Sequence, residues 1–350
     1  MRLPDPRGET SAALVDLLRE HAGVDGHAGR LIAAAERAGS RDPLTDEDFQ
    51  LTLTVMYELH YRGFDDVDDD WEWNPGVLQA RSALEAAFER AVRERVRALP
   101  DVAEPGGVEP EEVPGALFEL TGDGKRPALA SYLARHGTVQ HYREMLQHRS
   151  VYHLKEADPH TWTIPRLAGR AKAAMVEVQA DEYGGGRAER MHATLFATTL
   201  RELGLDDEYG AYLDVVPATT LATGNLISLF GLHRRLRGAA VGHLAAFEMT
   251  SCQPNRLYGN GLRRLGFGPA ATRFFDEHVE ADAVHEQIAA HDLAGDLVRV
   301  EPSLTDDVLL GAAACLLVDG AAGKHLLESW CAGRSSLLDS GFSSVGTGAA

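Results

Sequence analysis

Two histidines and an aspartate lie on one face of a segment near the end of the chain, where His278, Asp282 and His285 occupy positions i, i+4 and i+7. At about 100° per residue of an α-helix, the three side chains project within about 60° of one another. Imidazole and carboxylate ligands together suit iron, zinc or manganese. The spacing therefore indicates a metal-binding helix, although a solvated polar face of an acidic protein would give the same pattern.

Two of the 15 histidines follow an acid by three positions, in Glu189-x-x-His192 and Asp282-x-x-His285. Facing helices with acid-x-x-His form the core of carboxylate-bridged di-iron bundles, which also need lone carboxylates from other helices. Glu248 is a candidate because it lies in the apolar stretch 239–249, where a buried glutamate is costly unless it is paired or bound to metal.

A further lone carboxylate is expected between residues 150 and 182. Glu182 precedes His192 by ten residues, and the three glycines 184–186 between them argue against one straight helix. A kink there would still allow both side chains to point inward. The candidates in this stretch are Glu156, Glu177, Asp181 and Glu182.

Helical periodicity dominates the chain and β-branched alternating runs are scarce, so the sequence predicts an all-α fold. Prolines and glycines between residues 100 and 127 predict a linker or large loop. Amphipathic windows predict helices over 10–38, 46–62, 76–98, 127–148, 166–182, 188–203, 218–232, 236–250, 270–291 and 305–330.

The charge of the chain restricts its partners. It has 53 acidic and 34 basic residues and a net charge of −19, which argues against binding nucleic acid or an anionic membrane. Three widely spaced cysteines suggest neither a disulfide framework nor a cysteine-based zinc site. The N-terminus has no apolar signal-peptide core, so we expect a cytoplasmic protein.

Taken together, several of these residues resemble the motifs of the haem-oxygenase-like dinuclear iron oxidases and oxygenases, or iron-containing redox enzymes. The resemblance lies in Asp181-Glu182-Tyr-Gly-x-Gly-x5-His192, in Glu248, and in His278-x3-Asp282-x2-His285. It covers roughly residues 125–295. It implies a haem-oxygenase-like helical bundle, which we place at residues 111–335 after an N-terminal helical extension at 1–110. The Ser/Gly-rich end of the chain predicts a flexible tail at 336–350.

The resemblance also implies a ligand set. One iron would be held by the counterparts of Glu156, His192 and His285, and the other by those of Glu182, Glu248, His278 and Asp282. Glu189 competes with Glu182 for its place, and Glu177 competes with Glu156.

The activity implied is that of a non-haem enzyme that uses two ferrous ions, or manganese, to activate O2 as a co-substrate. The outcomes known for such enzymes are N-oxygenation, oxidative C–C cleavage and desaturation of small organic molecules. We expect a small-molecule substrate and an external electron donor, and we keep a homodimer through the N-terminal helices as an option. The alternatives are a haem-binding or haem-degrading protein on the same fold, a ferritin-like di-iron protein, and a non-catalytic helical binding protein.

Overall fold

The computed structural model describes residues 1–20, 28–100, 102, 105–122 and 129–339, without the side chains of residues 281–283. Within these ranges the regular structure is helical and no strand occurs, which confirms the all-α fold class. The N-terminal helices are α1 (Glu9–Leu18), α2 (Ala28–Ala38), α3 (Glu47–Glu58) and α4 (Pro75–Arg97).

The remaining helices form the bundle that carries the predicted ligands. A π-helix (Ile288–Gly295) lies between the α-helices Pro269–Gln287 and Asp296–Val300. The α-helices are α5 (Val113–Thr121), α6 (Leu129–His136), α7 (Val139–His153), α8 (Asp158–Thr161), α9 (Gly169–Glu182), α10 (His192–Glu202), α11 (Ala218–Leu232), α12 (Arg237–Arg264), α13 (Pro269–Gln287), α14 (Asp296–Val300) and α15 (Thr305–Cys331).

The stretch predicted as a linker or large loop contains helix α5, so that prediction was wrong in part. Val113 and Leu117 form an apolar i, i+4 pair, and both are fully buried. Pro114 sits in the first turn, where a missing backbone N–H has no helical partner to lose. Burial of the apolar face therefore outweighs the local breaker signals.

Helix α12 runs through the centre of the fold. Its residues belong to each of the hydrophobic clusters of the described chain, with Ala240 in one, Leu244 in another and Leu262 in the third. The helix continues to Arg264 through Pro254, well past the predicted end at residue 250. Packing on several sides thus stabilises a helix whose proline removes one backbone hydrogen bond.

Helices α12 and α15 approach closely because glycine occupies the contact on both. A Cβ atom at Gly242 would overlap the carbonyl oxygen of Val308, and one at Gly311 would overlap that of Ala239. This reciprocal contact fixes how α12 packs against α15. It therefore helps to fix the position of Glu248 along the axis of the bundle.

The N-terminal helices share a core with the bundle. Leu14, Phe49 and Phe88 cluster with Leu226 and Ala313. This core crosses the domain boundary proposed at residue 110, which stays a prediction.

At the other end of the described chain, the Ser336 hydroxyl donates a hydrogen bond of 2.7 Å to Glu144. The rest of the predicted tail, residues 340–350, lies outside the described residues. Among the helices described here, none combines the length and apolarity that crossing a membrane requires.

Candidate metal centre

Six of the seven predicted ligands come together in one buried group. Each is between 2% and 7% exposed. The seventh, Asp282, has its side chain outside the described residues. We call the six the ligand cluster: Glu156, Glu182, His192, Glu248, His278 and His285.

Turns, rather than helix interiors, present three of these residues. Glu156 lies in the turn between α7 and α8, next to Ala157, whose φ of 76° is strained for a residue with a Cβ. Glu182 is the last residue of α9, and His192 is the first of α10. Glycines 184–186 all have positive φ and reverse the chain between them, as the expected kink requires.

Two long helices present the other three residues. Glu248 lies in the middle of α12 rather than near its end as the resemblance suggested, because that helix continues to Arg264. His278 and His285 lie on α13, two turns apart, which is about 10 Å along the helix axis. The π-helix begins three residues after His285, and such irregular turns are frequent at functional sites.

The cluster divides into two groups that share one residue. In each group, ligand atoms from every member lie within 4.8 Å of one another. Glu182 belongs to both groups, so it is the carboxylate placed to bridge them. The first group is Glu156, Glu182, His192 and His278, and the second is Glu182, Glu248 and His285.

This division differs from the one implied by the resemblance, because the two histidines of α13 are exchanged. His278 lies beside Glu156, with 3.6 Å between Nε2 and Oε1, and its ring centroid is 4.4 Å from that of His192. His285 lies beside Glu248, with 3.2 Å between Nδ1 and Oε2. The cause is their separation along α13, which places His278 near α10 and His285 near the middle of α12.

Hydrogen bonds outside the cluster orient its side chains. The Nδ1 atom of His278 lies 2.8 Å from the backbone carbonyl oxygen of Phe274, so this nitrogen carries the proton and Nε2 is directed towards Glu156. His153 Nδ1 lies 2.7 Å from Glu156 Oε1 and leaves the other oxygen of Glu156 available. Such outer contacts are typical of metal ligands and fix their tautomer and direction.

Several buried atoms of the cluster lack a hydrogen-bond partner. They are Oε2 of Glu156, Oε2 of Glu182 and Nδ1 of His192. The last two lie 2.8 Å apart, but their geometry does not make a hydrogen bond. Buried acceptors are costly when unsatisfied, and a cation would satisfy the two carboxylate oxygens that lack a partner here. This set of carboxylate and imidazole ligand atoms therefore fits metal ions.

The charges of the cluster act strongly on each other. Burial lowers the pKa of His285, but Glu248 and Asp181 on its two ring nitrogens outweigh this and raise the pKa to about 9. Burial likewise lowers the pKa of His192, and nearby Glu182 raises it above its ordinary value. Burial raises the pKa of Glu156, but His153 and His278 lower it by more. The net shift is downward, so the carboxylate stays ionised.

The rival ligands are not part of the buried cluster. Glu177 on α9 and Glu189 in the turn before α10 are both exposed. Glu189 is separated from His192 by the break at Met191, so the two do not share a helical face. This geometry disfavours the ferritin-like alternative, which needs Glu189 beside His192.

Sequence reasoning missed the residues that support the ligands. His153 precedes Glu156 by three positions, a spacing that could have signalled contact. Lys155 forms a buried ion pair with Glu58 of α3, and Tyr209 donates a hydrogen bond of 2.6 Å to the same carboxylate. Nothing local in the sequence indicates that pair, because 97 residues separate its members.

Comparison with known proteins points to the same chemistry. The sequence model of a family described as iron-containing redox enzymes matches residues 143–320, a range that contains the whole ligand cluster. Nitrosourea synthase from Streptomyces achromogenes subsp. streptozoticus is 28% identical over 146 residues. These residues are 42% of this chain and 31% of that protein, so the chain spans about a third of its curated relative.

Proposed function

The chain belongs to the iron-containing redox enzyme family, and from this premise we propose that it is an O2-dependent, non-haem di-iron oxidase or oxygenase of a small organic substrate. The observation that carries the proposal is the position of Glu182, which is common to two buried groups of ligands. Two cations that lie close together repel each other, and a shared carboxylate reduces that repulsion.

The ligands proposed to hold iron are the six residues of the ligand cluster together with Asp282. When bound, two ferrous ions would supply the electrons and open coordination positions with which O2 is activated.

The protein itself would orient the ligands and exclude water. Phe274 packs against His192 and His278, and the cluster is closed to solvent on that side. The space between the ligands has a volume of about 10 Å3, enough for about one water-sized occupant. A reactive site enclosed in this way is protected from side reactions with water.

Oxidation at nitrogen is the outcome that the similarity to a nitrosourea synthase favours. Oxidative C–C cleavage and desaturation need the same ligands and stay open as alternatives. Haem binding is less compatible with the site, because three carboxylates lie in the buried cluster. Such a set favours small cations over a porphyrin.

The test is an anaerobic titration of the metal-free protein with Fe(II), followed by metal analysis and by mixing with O2 in a stopped-flow spectrometer. We expect about two irons per chain and an absorbance change that needs both iron and O2. Binding of fewer than one iron, or a spectrum indifferent to O2, would contradict the proposal. A Soret band on adding haem that iron then abolishes would support the haem alternative instead.

A further inference from the structure

A cavity of about 600 Å3 adjoins the ligand cluster. Its wall is formed mainly by helices α6, α7, α11, α12 and α15. Tyr152, Phe247, Ser251 and His278 line both this cavity and the small space between the ligands. A guest in the cavity would therefore reach the His278 side of the cluster.

The cavity has the size and lining of a small-molecule site. Ligand pockets typically enclose about 300–1,000 Å3 and have mostly apolar walls with a few polar groups. Leucine is the commonest residue of the wall, as at Leu226, Leu257 and Leu316, and threonine, serine and histidine side chains supply its polar groups. A lining of this kind suits an apolar molecular body.

Arg149 supplies a positive charge in this apolar wall. Its guanidinium lies over the ring of Tyr258, at 5.3 Å from the centroid, and donates a hydrogen bond of 3.4 Å to that residue's hydroxyl. No carboxylate forms an ion pair with Arg149 in the described part of the chain. A guanidinium has five N–H donors, and the contacts it makes here leave donors that can bind an anion.

Arg149 is also linked to the ligand cluster. A guanidinium nitrogen lies 3.2 Å from Nε2 of His153, whose Nδ1 contacts Glu156. A guanidinium has only donors, so Nε2 of His153 accepts from Arg149 and Nδ1 carries the proton that it donates to Glu156. This pair of contacts fixes the direction of the guanidinium.

We propose that the cavity binds a small organic carboxylate, with Arg149 as its anion-binding group and the apolar wall around the rest of the molecule. The assignment depends on the proposed function only in calling that molecule the substrate. A carboxylate can take two parallel hydrogen bonds from a guanidinium, which gives both affinity and direction.

Asp319 is the acidic residue of this wall that acts on Arg149. It is exposed and makes no ion pair with the guanidinium. Burial lowers the pKa of Arg149, but Tyr258 and Asp319 together raise it by more. The charge of Asp319 reduces the attraction for an anion but leaves the donors of Arg149 available. It also disfavours guests with a second negative charge.

The test compares acids with matched alcohols on the full-length chain. We would measure binding of 4-phenylbutyrate and octanoate, and of 4-phenylbutan-1-ol and octan-1-ol, by calorimetry under anaerobic conditions. Both the iron-loaded and the metal-free chain would be used. We expect each acid to bind the wild type about tenfold or more tightly than its alcohol, in both states.

The variants are Arg149→Gln, Arg149→Lys and, as a matched control, Arg256→Gln, which removes an exposed arginine of α12. We expect Arg149→Gln to remove the preference for acids, Arg149→Lys to keep part of it, and Arg256→Gln to keep all of it. Circular dichroism and iron content would be measured for each variant.

Two results would overturn the proposal. One is a wild type that binds the acids no better than the alcohols. The other is a preference that survives Arg149→Gln, as direct binding of the carboxylate to iron would produce. A chain that binds no iron but keeps an Arg149-dependent preference would contradict the proposed oxidase and leave the carboxylate site intact.

Discussion

Two buried histidines of the ligand cluster and two of the cavity wall have pKa values shifted in opposite directions. His192 and His285 are each 2% exposed, and their pKa values are raised. His148 and His243 are 4% and 5% exposed, and burial lowers the pKa of each to about 3. The difference lies in the neighbours, because carboxylates contact the first pair whereas His148 contacts hydroxyls and His243 contacts His160.

Burial alone therefore favours neutral imidazole, and only the carboxylates reverse that preference. Concentrating acids in one part of a buried interior is costly unless something positive offsets them. In the second group His285 provides that charge. In the first group unsatisfied carboxylate oxygens remain at Glu156 and Glu182, which a bound cation would satisfy.

The largest effect should come from removing the residue shared by both groups. We expect the wild type to bind about two irons per chain and Glu182→Ala to bind almost none, because each group would keep too few ligands. The measurement is iron content after anaerobic loading and desalting. Glu189→Ala, which removes an exposed glutamate seven residues away, should keep its iron. Full iron content in Glu182→Ala would remove the basis for a bridged pair.

The division into two groups can be tested by pairs of substitutions. We expect His285→Ala to keep about one iron, and His285→Ala with Glu248→Ala to keep the same one, because both changes affect the second group. Combining His285→Ala with Glu156→Ala should remove both irons. If that last variant kept one iron, His285 and Glu156 would belong to one group, as the resemblance implied.

Glu58 is a buried acid outside the cluster, and it tests whether an ion pair alone can stabilise such an acid without metal. Glu58 is 3% exposed and is paired with Lys155, the residue before Glu156. We expect Glu58→Gln to lower the free energy of unfolding by about 3 kcal/mol with or without iron, because Lys155 would stay buried and uncompensated.

Urea unfolding of the metal-free and iron-loaded chains measures this effect. Glu177→Gln, at an exposed position, is the control and should change the stability little. A loss seen only in the iron-loaded chain would mean that Glu58 acts through metal binding and not through its ion pair.

The smallest effect concerns the cavity wall. The pKa of His148 is about 3 in the folded chain and about 6.5 when unfolded. The unfolded state binds more protons between these values, so this histidine lowers the stability as the pH falls from about 6.5 towards 3.

The free energy of unfolding should fall between pH 7 and pH 5 in both proteins. We therefore expect the fall to be about 1–2 kcal/mol smaller in His148→Gln than in the wild type. Urea unfolding at both pH values measures the difference. His136→Gln, which removes an exposed histidine of α6, should follow the wild type. Equal falls in the free energy of unfolding for the wild type and His148→Gln would show that folding does not lower the pKa of His148.

Much of the fold was readable from local patterns. Helices α3, α4, α11 and α15 begin and end within a few residues of their predicted limits. The window 10–38 is divided between α1 and α2, and the end of α12 was placed 14 residues too early. Pro254 is a local signal to stop, but the contacts that carry the helix past it come from distant segments.

The amino-acid sequence by itself predicted a set of possible metal ligands, and for His278 and His285 it also fixed the helical face that carries them. Spacing of four and seven residues fixes a direction around a helix whatever surrounds it.

Only the tertiary structure decided which histidine of α13 meets which carboxylate, because that depends on how far α13 is displaced along α10 and α12. It also decided that Arg149 stands in a cavity wall and that Glu58 reaches Lys155. Those contacts join segments far apart in the chain, and no local period encodes the distance between packed helices.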